Sequence, residues 1–264
     1  MIVSNYRDKK VCDYLNTGEY HKVLIRFRHG LGDAIMFYAT CLKTLMWQYP
    51  GVSFAYSTHC GQEVLFGSVD DDPEHYDITF DIGYPCSEGD GLDYTKSDKC
   101  AIVELGLKTP LEEDYTLPRT FPSPLVGVHF NSTSCTWLDA KPDFARKLWE
   151  QIQEAGLIPI DTHMRHVFDN SHSVVHDFEQ CRRIDNIPAS LDKLLGLLGC
   201  LRGFAGVPSG NLIAACTVLP PRKILYLGST TTRTRHYRLD TFEMDIRKPY
   251  DKAIVGDWLD AVKA

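Results

Sequence analysis

The chain has 264 residues, 44% hydrophobic and 24% charged, with a formal net charge of −7. This is the composition of an ordinary soluble globular protein, long enough for two small α/β domains. The acidic balance argues against generic binding to bare nucleic acid, which needs a basic face. No run approaches the ~18 apolar residues of a membrane span. The first ten residues, "MIVSNYRDKK", lack the apolar segment of a secretory signal, so the expected location is cytoplasmic.

"KVLIRF" (22–27) predicts a buried strand that ends at glycines. From Ala34 to Tyr49 the apolar positions 34, 35, 37, 38, 41, 42, 45, 46 and 49 follow the 3.6-residue period of a helix packed on a sheet. Pro50 and Gly51 stop it. "VSFAYS" (52–57) is a second strand, "CGQEVLFG" at most a short helix, and "YDITFDIG" (76–83) a third strand. Strand–helix–strand order builds parallel sheets with right-handed crossovers. Residues 84–99 form a polar loop that enters a helix around 98–106. "LPRTFPSP" (117–124) carries three prolines and reads as a linker. The expected domains are therefore 1–118 and 125–264, joined by 119–124.

The second half repeats the plan. "LVGVHF" (125–130) is a strand, "NSTSCTWLDAKP" a polar loop, and "DFARKLWEQIQEAG" (143–156) an amphipathic helix closed by glycine. "LIPI" (157–160) is a strand. A helix over 190–201 has Ser190 as its N-cap. "RGFAGV" (202–207) is a strand, "PSG" a tight loop, "NLIAACTVL" (211–219) a helix, and "RKILYLG" (222–228) a strand. An amphipathic helix ends the chain. The nine cysteines are scattered without a C-x-x-C pair, which suits reduced core residues better than a zinc site. His163, His166, His172 and His176 cluster without metal-ligand partners, and no metal site is expected.

Three stretches carry chemistry. In "RHGLGDAIMF" (28–37), Gly30 and Gly32 open a dinucleotide-like turn, but Ile35 stands where its third glycine belongs, and no acid ends the next strand. What remains is Asp33 at the first turn of a helix, on the sheet edge where α/β folds bind ligands. A carboxylate there can cap orphan amides or accept a proton. In "GFAGVPSGNLIAAC" (203–216), Ser209, Gly210 and Asn211 bring a hydroxyl and backbone amides to a helix start that suits a phosphate. In "HFNSTSCTW" (129–137), Ser132, Thr133 and Ser134 follow the first strand of the second half. Each of the last two also has a plain reading, as a helix cap and as a polar loop.

Together, in this order, the stretches resemble the ADP-heptose:lipopolysaccharide heptosyltransferase family of GT-B glycosyltransferases. "VLIRFRHGLGDAIMFYATCLKTLMWQYP" is similar to that family's opening strand, Gly-Asp loop and long helix. "LVGVHFNSTS" resembles the start of its second domain, and "LLGLLGCLRGFAGVPSGNLIAAC" its late helix–strand–loop segment. The family's late-loop aspartate and histidine fall on Pro208 and Ile213, and its loop lysine has no clear match, Lys141 being a poor one. The resemblance implies an α/β GT-B fold: two Rossmann-like domains with a cleft between them and a C-terminal helix.

It also implies a metal-independent, inverting transfer of a sugar from a nucleotide-sugar donor to an acceptor hydroxyl, with no further cofactor. Asp33 matches the general base. Ser132, Thr133, Ser209, Gly210 and Asn211 fall on the donor side, with Arg233 and Arg235 (and Arg238) of "STTTRTRHYR" supplying positive charge. Arg28, His29 and Gly30 are the candidate acceptor contacts. The acceptor implied is a saccharide or lipid-linked saccharide. Two other readings stand beside this one. One is a GT-B enzyme acting on hydroxymethylated bases in DNA, with "RFRH" (26–29) and the arginine loop on phosphates. The other is a non-catalytic sugar-nucleotide-binding module.

Overall fold

A computed structural model of the chain describes residues 1–4, 8–59, 62–82, 123–131, 140–163, 175, 178, 182–183, 190–228 and 241–264. The chain divides into two compact units, Met1–Glu113 and Asp114–Ala264. Of the expected linker, only Ser123 and Pro124 are described. The expected helix near 98–106, the hydroxyl loop with Ser132 and Thr133, and the arginine loop with Arg233, Arg235 and Arg238 lie outside the described residues.

In the first unit, β1 (Ile2–Val3), β2 (Lys22–Arg26), β3 (Ser53–Ser57) and β4 (Ile78–Asp81) form a parallel sheet in the order β1-β4-β2-β3. Val23, Leu24 and Ile25 of β2 are all buried, as befits a parallel strand covered on both faces. A short helix α1 (Val11–Leu15) precedes β2. The amphipathic stretch after β2 forms α2 (Leu31–Met36), a π turn (Phe37–Leu42) and α3 (Lys43–Gln48). It begins three residues earlier than its apolar pattern suggests: Gly30 is the N-cap, and Gly32 in the first turn has no side chain to mark a face. The π turn was not expected. The buried Tyr56 hydroxyl donates to the Ala34 carbonyl at 3.0 Å just before it. A side chain entering the ladder in this way disturbs helical hydrogen bonds. Phe37 then stacks between Phe27 and Tyr56 (centroids 4.3 and 5.9 Å), tying the helix to the strands. The short α4 (Glu63–Phe66) follows β3.

In the second unit, β5 (Leu125–His129), β6 (Ile158–Asp161), β7 (Arg182–Arg183), β8 (Gly203–Gly206), β9 (Ile224–Leu227) and β10 (Phe242–Met244) form a parallel sheet in the order β10-β9-β8-β5-β6-β7. This is the doubly wound order in which the first strand lies at the centre. The helices are α5 (Pro142–Glu154), α6 (Leu191–Gly199), α7 (Gly210–Val218) and α8 (Lys252–Lys263). Ser190 caps α6 by accepting from the Lys193 amide, as its sequence position predicts.

The terminal helix is held hard against this sheet. Trp258 is fully buried and donates to the Lys223 carbonyl at 3.1 Å. Residue 203 must be glycine here, since a Cβ would lie 2.6 Å from Val262 Cγ2. Arg202 Nε donates to the Val262 carbonyl at 3.0 Å, and Lys223 Nζ to that of Ala261, so two cations meet the negative end of the helix dipole. Among the described residues no helix is long and apolar enough to cross a membrane. The described cysteines, Cys12, Cys41, Cys200 and Cys216, are in no disulfide, and all but Cys200 are buried.

Candidate active site

Among the described strands, each sheet has a place where the strand order reverses. Open α/β sheets bind ligands there, at the carboxyl ends of the strands. In the first unit it lies between β2 and β4; in the second, between β5 and β8. Asp33 stands just past the first of these edges, and Ser209–Asn211 just past the second.

The first edge is built by the turn Phe27–Gly30. Phe27 extends the ladder by donating to Ser57 O at 2.8 Å, and Ile82 by donating to Arg26 O at 2.9 Å. The Gln62 amide holds the His29 carbonyl at 2.8 Å. The His29 ring packs edge-on to Phe27 (4.2 Å) and places Nε2 at 3.3 Å from the Ile82 carbonyl, bridging the two strands that flank the edge. Burial holds the His29 imidazole below its ordinary pKa, against the opposing pull of the Ile82 hydrogen bond and the Asp33 charge; His59 adds to the lowering. Gly30 is the N-cap of α2, which makes Asp33 the third helical residue, partly exposed. A Cβ at residue 30 would lie 3.2 Å from Asp33 Oδ2. The carboxylate therefore folds back over the turn, and glycine leaves it room.

Arg28 is half exposed and paired with Asp71, whose carboxylate also takes Arg26 Nε at 3.0 Å. Arg26 further lies 3.8 Å from Asp81. The two arginines of "RFRH" thus sit among acids, an arrangement that suits a held turn better than an open phosphate track. Asp71 and Gln62 are contributors that the sequence reading did not single out. Both lie in loops tens of residues from the turn, and nothing in their local pattern marks them.

The second edge joins β5 and β8 to α7. Ser209 caps α7 by accepting from the Leu212 amide at 3.3 Å. Helix geometry leaves the amides of Gly210 and Asn211 as donors without an intrahelical acceptor. The first turn of α7 holds no acidic residue. The Asn211 side chain turns inward: its Nδ2 lies 2.7 Å from the Thr162 carbonyl and 3.3 Å from His129 Nδ1. Thr162 Oγ1 in turn donates to Val128 O at 2.9 Å. His129, Asp161, Thr162 and Asn211 are all buried. His163 stacks over His129 (5.6 Å), and its backbone amide donates to Asp161 Oδ1 at 2.9 Å.

The structure therefore brings Arg28, His29, Gly30 and Asp33 to one edge, and Ser209, Gly210 and Asn211 to the other. Lys141 is exposed at the start of α5, and Ile213 is buried in α7. His129 and Thr162 were not foreseen as partners of Asn211. The only sequence signal was a histidine ending an apolar run. Among the described residues no group of three or more His, Cys, Asp or Glu could hold a metal ion.

No protein-family model matches the chain, and no curated protein matches it. Its fold is similar to that of the bacterial iron-containing dodecameric glycosyltransferase TibC from enterotoxigenic E. coli H10407, with a TM-score of 0.61 and 14% identity over 92% of this chain and 78% of that one. TibC in complex with ADP-D-β-D-heptose, described there as a heptosyltransferase, gives 0.57 and 15% over 85% of this chain and 62% of that one. E. coli heptosyltransferase WaaC with ADP-2-deoxy-2-fluoro heptose gives 0.55 and 12% over 92% of this chain and 98% of that one. The likeness is one of fold, and it falls on the class of enzymes that the sequence motifs resemble.

Proposed function

We propose that the chain is an inverting, heptosyltransferase-like glycosyltransferase that moves a sugar from a nucleotide-sugar donor to an acceptor hydroxyl. One observation carries this reading: two parallel α/β units each present a helix start at a switch point, one bearing a carboxylate and the other bearing uncharged donors. Glycosyl transfer needs that pair of properties. Asp33 accepts the proton of the acceptor hydroxyl. The hydroxyl oxygen bonds to the anomeric carbon as the bond to the diphosphate breaks, so the configuration inverts in one displacement. The amides at the start of α7 and the Ser209 hydroxyl take up the charge of the departing diphosphate. Arg233 and Arg235, which follow β9 in the sequence, are the candidates for further positive charge on the diphosphate.

The neighbours solved with ADP-heptose compounds make an ADP-sugar the first donor to try and a saccharide the first acceptor. The test is release of free nucleoside diphosphate from a panel of nucleotide sugars, with and without saccharide acceptors. Acceptor-dependent release from one donor, strongly slowed in Asp33→Ala, is expected. Tight binding of a donor with no turnover on any acceptor replaces this reading with that of a binding module.

A further inference from the structure

α7 is a helix with no polar side: Leu212, Ile213, Ala214, Ala215, Cys216 and Val218 are buried along with Asn211. An amide placed in such surroundings costs free energy unless its hydrogens find acceptors. Those of Asn211 do. The contact with the Thr162 carbonyl, at 2.7 Å, fixes which way the amide faces, because a carbonyl accepts and never donates. The group that meets it is the NH2, and the same nitrogen lies 3.3 Å from His129 Nδ1. A donor there requires Nδ1 to be the accepting nitrogen, and the ring proton then resides on Nε2.

We propose that Asn211 is a positioning residue of the donor side: it holds His129 with its proton on Nε2, so that the imidazole serves the diphosphate as a hydrogen-bond donor. This rests on the reading of the second unit as the nucleotide-sugar side. His129 ends β5, and its carbonyl accepts from the Val207 amide at 2.9 Å, in the turn that leads to the start of α7. His129 is 6% exposed, and a donor in so dry a place is stronger than one in water. One amide thereby ties β5, β6 and α7 together where their ends meet.

The first measurement is the tautomer of His129, read from the ring nitrogen shifts of 15N-histidine-labelled full-length protein. A proton on Nε2 is expected in the wild type, with exchange between both nitrogens in Asn211→Leu. A proton on Nδ1 in the wild type overturns the proposal. The second measurement is the affinity for ADP, GDP, UDP and CDP. For the one bound best, Asn211→Leu should weaken binding about tenfold, the worth of one hydrogen bond to a charged group. A glutamine at 129 keeps a donor near the Nε2 position without needing Asn211. In a His129→Gln background Asn211→Leu should therefore cost little. An equal cost in both backgrounds means a merely structural amide and overturns the proposal alone. Failure of all four diphosphates to bind the wild type overturns the donor-side reading, and the proposal with it.

Discussion

The starts of α2 and α7 share a plan and differ in charge. Both follow a central strand, both sit at a switch point, and both expose the positive end of a helix. At α2 the cap is a bare glycine and the third residue is an acid, so the positive end is already answered by the protein's own carboxylate. At α7 the cap is a serine and the first turn carries no acid, so the positive end is left for something else. The same backbone device is thus neutralised by an acid in one unit and left positive in the other. Asp13 of α1 shows the ordinary use of such an acid: as the third residue of a remote helix it accepts the Lys10 backbone amide at 2.8 Å. Asp33 occupies the corresponding helix position, but at the carboxyl edge of the sheet, next to the turn that carries Arg28 and His29.

Breaking this contrast at its charged end should have the largest effect. Asp33→Ala is expected to lower turnover by about 10²–10⁴-fold, the usual worth of a positioned general base, while the far-ultraviolet circular dichroism stays unchanged. Wild-type turnover in that variant reduces Asp33 to a cap like Asp13. Breaking the contrast from the other side should cost less. Gly210→Asp puts a carboxylate into the first turn of α7 and makes the second start resemble the first. A like charge some 5 Å from a bound phosphate at an effective dielectric near 20 is worth about 3 kcal/mol, so nucleoside diphosphate affinity should fall on the order of a hundredfold. An unchanged dissociation constant would mean that the anion does not sit at this helix start.

Much of the fold was legible because parallel strands are short apolar runs, and most of their helices keep a clean period or are marked by a cap at their start. β2, β5, α5, α6 and α7 were all expected within a few residues of their observed ends. What escaped depended on distant partners. β1 is two residues long and exists because Ile2 and Val3 pair with Thr79 and Phe80. β10 likewise exists by pairing with β9. The π turn depends on packing against Tyr56 and Phe27, which no helical periodicity encodes. The site divides in the same way. Asp33, Ser209 and Asn211 were legible, since glycines between a strand and a helix announce a turn at a sheet edge. Asp71, Gln62 and Thr162 were not, because each acts through a single contact made across the fold.

The smallest effect should be the most local, and it asks whether the charge at α2 is felt by its neighbours. The His29 imidazole faces Asp33, His59 and the Ile82 carbonyl. Burial is the largest influence and lowers its pKa; Asp33 and the carbonyl raise it by smaller amounts. Replacing Asp33 with asparagine removes one of the two raising influences, so the His29 midpoint in an NMR titration should fall further below the ordinary value of about 6.5. A midpoint that does not move would mean that Asp33 turns away from the ring. The same shift links pH to stability. The unfolded chain takes up the His29 proton first as pH falls, so protonation favours unfolding. The contribution is constant above about 6.5 and is lost as pH drops from there toward the lowered native value. His29→Gln, whose amide can still donate to Ile82, should remove that slope from the urea midpoint of the first unit, and more acid-sensitive unfolding in the variant than in the wild type would contradict the sign.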